Sequence, residues 1–180
     1  MTMQFYIKTP IAFRGDNMNE FELPYKLIDI GMEEEHFTLS FTKFKPHQDS
    51  YSIKRGGIAG DFEVSYKCNG IESRFECDLT TGNLYSFYVE LDNSYECLPG
   101  SEPVAILANN ASPERTSMTF RFDKMGHFFV KGCFKAKENG YKSGIIFDME
   151  MDTVFIYDIL DSLKKFFNEL EKIQGHRNFF

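Results

Sequence analysis

Apolar and polar residues alternate along several stretches of the chain, and Asn-Gly steps punctuate two of them. Asn69-Gly70 and Asn139-Gly140 each lie between alternating segments, the strongest short-range signature of a two-residue β-hairpin turn. A two-residue turn fixes register. At 69–70 it pairs Cys68 with Ile71, Tyr66 with Ser73, Val64 with Phe75 and Phe62 with Cys77 on one largely apolar face. The reverse face pairs Lys67 with Glu72, Ser65 with Arg74 and Glu63 with Glu76. At 139–140 the same construction pairs Ala136 with Ser143, Phe134 with Ile145, Gly132 with Phe147, Val130 with Met149 and Phe128 with Met151. Upstream, the stretch from Phe122 to Phe128 fits a three-residue loop, Lys124-Met125-Gly126, with glycine at the left-handed position. It sets Phe122 beside Phe128 and Phe120 beside Val130, extending the apolar face over three strands.

The period changes to 3.6 in two places. Residues 82–97 place Leu84, Phe87, Tyr88, Leu91 and Tyr95 on one stripe, with Thr80 or Thr81 as N-cap. Residues 153–173 carry a wider face of Phe155, Ile156, Ile159, Leu160, Leu163, Phe166, Phe167, Leu170 and Ile173, and Gly175 is placed to stop that helix. Laying the segment from Phe75 over that from Phe147 matches strand end, Thr, Tyr and Leu positions at an offset of 72. Strand-like segments 36–44 and 117–122, and before them YKLIDI and PVAILA, also correspond. The chain reads as α+β: two pseudo-repeated halves of four strands and a helix, about 19–98 and 103–174, with mainly antiparallel sheet and two amphipathic helices packed on it. These form a single globular domain over residues 1–180. The halves differ most at 45–60, a long loop in the first half where the second has a tight turn.

Composition narrows the function classes. With 20 phenylalanines, no tryptophan and 42% hydrophobic residues, the core is expected to be Phe-rich. A net charge of −7 opposes nucleic acid as a partner, since phosphate binding needs clustered Lys and Arg. A basic protein suits it better. The opening MTMQFYIKTP lacks the basic start and apolar run of a secretory signal, and no stretch reaches 18 apolar residues, so neither secretion nor a membrane association is expected and the location is read as cytoplasmic. Cys68, Cys77, Cys97 and Cys133 have no C-x-x-C spacing, and the hairpin register holds Cys68 and Cys77 too far apart to bridge, so reduced thiols are expected.

Asp148, Glu150 and Asp152 stand two apart on one strand, which raises a metal or acid/base site. The register gives two of them structural roles. Lys131 lies across from Asp148, and Asp152 precedes the last helix, where a carboxylate caps backbone N–H groups. Glu150 faces Phe129 and has no evident partner. No calcium-loop motif is present, and glycosidase carboxyls face each other across a cleft rather than running along one strand. His36, His47, His127 and His176 form no metal or nucleophile–base pattern, His127 being set opposite Asp123. KRGGIAG at 54–60 lacks the Lys-Ser/Thr ending of a phosphate loop. No catalytic, metal or cofactor-binding residue is assigned, and no cofactor is expected.

The text CDLTTGNLYSFYVELDNSYE, then MTFRFDKMGHFFVKGCF, then IIFDMEMDTVFIYDILDSLKKFF resembles the WapI-type immunity proteins over about residues 75–170. The shared pattern is a strand ending in DLT, a helix, a glycine-turned hairpin and an acidic strand entering the last helix. The resemblance implies a small bacterial cytoplasmic protein, without catalysis, that neutralises a cognate contact-dependent toxin by direct binding. A basic toxin domain would be steered to an acidic surface. The partner-binding candidates are Glu33, Glu34, Glu35, Phe129 and Glu150, together with the 45–60 loop. The alternative is a small apolar-ligand binder, with a helix closing over a curved Phe- and Met-rich sheet and Gly132 leaving room on the inner face.

Overall fold

The computed structural model describes residues 22–44, 60–97, 102–125, 127–138 and 140–177. Strands β1 (Tyr25–Gly31), β2 (Glu35–Phe44), β3 (Gly60–Cys68) and β4 (Ile71–Cys77) form one antiparallel sheet in chain order. Helix α1 (Thr81–Glu96) follows. Strands β5 (Val104–Ala108), β6 (Thr116–Phe122), β7 (His127–Lys135) and β8 (Gly144–Asp152) form the second sheet, again in chain order, and α2 (Val154–Arg177) follows it. The α+β class and the two four-strand-plus-helix halves are as the sequence pattern predicts. The strands are divided between two separate sheets.

The first hairpin has the predicted register from Phe62↔Cys77 to Cys68↔Ile71. Asn69 and Gly70 both adopt positive φ, 50° and 80°, the geometry that makes Asn-Gly favourable in a two-residue turn. The apolar face runs out at the tip, where Ile71 is 74% exposed. In the second hairpin the register is also as predicted, from Phe128↔Met151 to Phe134↔Ile145, but the connection is longer. The Ala136 N–H donates to Ser143 O at 2.8 Å, after which Tyr141 N–H reaches back to Ala136 O at 3.0 Å and Gly140 N–H to Lys137 O at 3.2 Å. Gly140 and Tyr141 take the positive φ values, 68° and 65°. A six-residue connection, 137–142, keeps the same pairing because it closes on the same Ala136–Ser143 rung. Between β6 and β7, Phe122↔Phe128 and Phe120↔Val130 are as predicted. The expected conformations of Asn139 and Gly126, and the loop over 45–59, lie outside the described residues.

Both helices start where their polar caps allow. Thr80 Oγ1 accepts the Asn83 N–H and Asn83 Oδ1 accepts the Thr80 N–H, both at 3.1 Å, a reciprocal capping box at α1. At α2, Asp152 Oδ1 accepts the Val154 N–H at 3.1 Å. Gly175 does not stop α2, which runs on to Arg177. Glycine costs only about 1 kcal/mol inside a helix, too little to end one already anchored over many turns. The side chain of Ile173 lies outside the described residues.

The inner faces of the two sheets meet through aromatic rings. Phe37 of β2 lies 5.3 Å from Phe134 and 4.7 Å from Phe147, and Tyr66 of β3 stacks on Phe147 at 5.3 Å. One contiguous core cluster joins both sheets and both helices. Each helix docks on the opposite half: α1 places Phe87 5.2 Å from Phe120 of β6, and α2 places Phe166 5.1 Å from Phe41 of β2 and 5.8 Å from Tyr25 of β1. The helices meet antiparallel through Tyr85–Phe167 at 5.2 Å and Tyr95–Tyr157 at 5.0 Å. At the offset of 72, Tyr85 matches Tyr157 and Tyr95 matches Phe167. The two contacts therefore exchange on swapping halves, the mark of a two-fold interface, here formed inside one chain. The same offset matches Leu84 with Ile156, Phe87 with Ile159 and Leu91 with Leu163, all buried.

Candidate functional site

Strand alternation turns the even-numbered residues of β8 outward. Phe147, Met149 and Met151 are buried, while Asp148, Glu150 and Asp152 are exposed. The carboxylates on this face divide by role. Asp152 is occupied by the start of α2, as its position predicts. Asp148 lies across from Lys131, but among the described residues no ion pair joins them, so the expected neutralisation of Asp148 does not form. Facing residues on an exposed ladder need not close a contact, because holding a long lysine side chain in place costs as much as a solvated pair returns. Glu150 pairs in register with half-buried Phe129 and makes no polar contact among the described residues. Phe129 and Glu150 are thus neighbours on the outer face of the second sheet.

The Glu33–Glu35 run is elsewhere, at the β1–β2 turn of the first sheet. Glu34 O accepts the Asn69 N–H at 3.0 Å, which ties this turn to the β3–β4 turn. Glu33 and Glu34 are exposed and, with Lys67, Asn69 and Gly70, line an open polar cleft of about 630 Å³. Glu35 differs from its neighbours: it is half-buried, and its Oε1 accepts the Tyr66 hydroxyl. Burial, then the bonds to Glu35 and Cys68, raise the Tyr66 phenol above its usual range, so it remains a neutral donor and cannot serve as a base near neutral pH. Glu35 therefore has a structural role that the sequence pattern did not show.

Polar clusters that pattern reading missed sit on strand faces. Asp29 Oδ1 receives His36 Nε2 at 2.8 Å and the Thr38 hydroxyl at 3.1 Å, and Asp29 Oδ2 receives Lys26 Nζ at 2.7 Å. The β1–β2 register sets Asp29 opposite Thr38, so the signal existed once those strands were paired. His127 meets Asp123 as predicted, at 3.2 Å. Desolvation opposes it, but the backbone N–H groups of His127 and Met125 and then the His127 ring together hold the Asp123 carboxyl below its usual range. Among the described residues, each of these histidines is the partner of a carboxylate, His36 across the β1–β2 ladder and His127 at the β6–β7 turn.

Among the described residues, no three His, Cys, Asp or Glu side chains converge as a metal site, and no helix is long and apolar enough to cross a membrane. No disulfide joins any of the four cysteines. The space expected at Gly132 is filled: a Cβ there would lie 2.3 Å from the Phe147 ring, which covers the glycine from the facing strand. Gly132 thus admits a neighbouring aromatic side chain in place of a ligand. The chain matches no family model, no curated protein sequence and no solved structure.

Proposed function

We propose that this protein is a non-enzymatic cytoplasmic binding protein of immunity type, which neutralises a basic toxin domain by covering it. The observation that carries the reading is the outer face of the second sheet: Asp148 and Glu150 are exposed carboxylates without an ion-pair partner among the described residues, beside half-buried Phe129, in a chain of net charge −7. Unpaired charge next to an aromatic anchor suits recognition, since opposite potentials accelerate encounter and an aromatic side chain supplies contact area. The resemblance over about residues 75–170 supports the same reading. The partner-binding residues proposed are Phe129 and Glu150 on this face and Glu33 and Glu34 at the first-sheet turn, with Glu35 holding that turn in place. Binding of a small apolar ligand draws no support from Gly132, whose space Phe147 occupies.

The test joins capture to protection. The protein should retain a stoichiometric basic protein from native lysate of its source cells, and co-expression should relieve that protein's toxicity. The paired charge reversal Asp148→Lys with Glu150→Lys should abolish both effects. A captured partner that is acidic or harmless, or protection that survives the charge reversal, overturns the reading.

A further inference from the structure

A β-sheet ends in backbone N–H and C=O groups that need partners, and natural sheets cover such edges or guard them. The two sheets here have four edges, formed by β1, β4, β5 and β8. The edges of β1 and β5 are covered by the helices. Ser162 Oγ of α2 donates to Lys26 O at 2.6 Å, while Glu90 Oε2 of α1 accepts the Ile106 N–H at 2.9 Å and Ser94 Oγ donates to Val104 O at 3.4 Å. Glu90 and Ser162 are themselves twins at the offset of 72. On β4, the outward N–H of Glu76 donates to Glu138 Oε1 at 2.8 Å, and Glu76 O accepts the Lys137 N–H at 3.0 Å. The β7–β8 connection thus packs along the edge of the first sheet.

The twin of Glu76 is Asp148. Its edge orientation follows from the ladder. The Ala136–Ser143 rung is hydrogen-bonded, so alternate rungs Phe134/Ile145, Gly132/Phe147 and Val130/Met149 point their backbone groups between β7 and β8. Ile146, Asp148 and Glu150 consequently turn their N–H and C=O groups away from β7, and no hydrogen bond to them is formed among the described residues. In the first half, the long β7–β8 connection fills this place. The corresponding connection in that half is the two-residue Asn69-Gly70 turn, too short to reach across to β8.

We propose that the β8 edge centred on Asp148 is where the protein partner docks, by adding an extended segment with alternating basic and apolar residues as a further strand of the second sheet. The inference rests on the binding-protein reading and specifies its mode. Occupancy of the twin edge by the chain itself shows that the geometry accepts backbone bonds there. The side chains choose the occupant. Basic residues of an added strand would lie beside Asp148 and Glu150 on the outer face, and its apolar residues would extend the row of Phe147, Met149 and Met151 on the inner face. A second copy of the chain is disfavoured: antiparallel pairing of β8 with itself centred on Asp148 sets that carboxylate directly opposite its own copy, and like charges directly opposite repel.

The test uses the full chain and a capped synthetic peptide of alternating Lys and Val. Binding should slow amide exchange at Ile146, Asp148 and Glu150 at least tenfold and leave Phe147 and Met149, already bonded to β7, unchanged. The same peptide N-methylated on its edge-facing amides keeps its charge and should bind at least tenfold more weakly. So should the parent peptide to the Asp148→Pro variant, which loses one outward N–H and no β7 bond. Equal binding of the methylated peptide, protection located elsewhere, or no binding of the parent peptide overturns the proposal, and the methylated arm decides even if the proline variant does not fold. A native basic partner that is lost on charge reversal but retained by a folded Asp148→Pro variant sinks the edge while leaving the binding-protein reading intact.

Discussion

Glu76 on β4 and Asp148 on β8 occupy matching places in the two halves, yet one has its outward backbone bonded by Glu138 and Lys137 and the other has no such bond among the described residues. The cause is upstream. Two residues connect β3 to β4 and six connect β7 to the Ser143 rung, and only the longer connection spans to the neighbouring sheet. Repetition thus builds the core, and a difference in turn length decides which of the two matching edges the chain itself bonds among the described residues. An internal repeat need not duplicate every contact: here, among the described residues, one of two matching edges is bonded by the chain and the other is not.

The core twins should respond most strongly and most nearly alike. Leu91→Ala and Leu163→Ala each remove a fully buried side chain and should each destabilise by about 2–5 kcal/mol, measured by denaturant unfolding. A near-silent change at one of them would break the equivalence of the helices. The caps should separate the halves. Thr80→Ala breaks a reciprocal box and should cost about 1 kcal/mol, whereas Asp152→Ala loses only one backbone cap, to the exposed Val154 N–H, and should cost about 0.5 kcal/mol.

A smaller change sharpens the edge comparison directly. Glu138→Ala should cost about 0.5 kcal/mol, and it should speed amide exchange at Glu76 toward the rate at Asp148. Slow exchange at Asp148 in the unaltered protein would mean that its edge is already covered. The smallest effect appears only in alkali. The Tyr157 hydroxyl, then burial, push the Tyr95 phenol up to about 12. A raised phenol favours the folded state fully below the unfolded value near 10, and that contribution is lost as pH climbs from about 10 towards 12. Tyr157→Phe should flatten this part of the pH–stability curve.

Phe62, Val64, Phe128 and Val130 show why so much of the sheet structure was legible. Their pairings depend on alternation and on turns a few residues away, and both are properties of local backbone geometry. The second hairpin kept its register even though its connection is longer than the Asn-Gly step implied, because the apolar face on the core constrains pairing independently of the turn. Among the candidate site residues, the Phe129–Glu150 pairing followed from that register. The separation of Glu35 from Glu33 and Glu34 did not, since it depends on Tyr66 reaching across from another strand. Nor did the missing contact between Lys131 and Asp148, since register fixes which residues face each other but leaves exposed rotamers free.

The sequence by itself determined the strands, both helices, their N-terminal caps and the twofold repetition, because each arises from side-chain period, turn conformation or a cap within a few residues. Tertiary structure alone decided that each helix would dock on the opposite half, that Phe147 would fill the space beside Gly132, and that the 137–142 connection would bond to Glu76. Those outcomes depend on how distant surfaces meet in three dimensions, where ring shape, reach and the need to satisfy edge backbone groups select among arrangements that the local pattern permits equally.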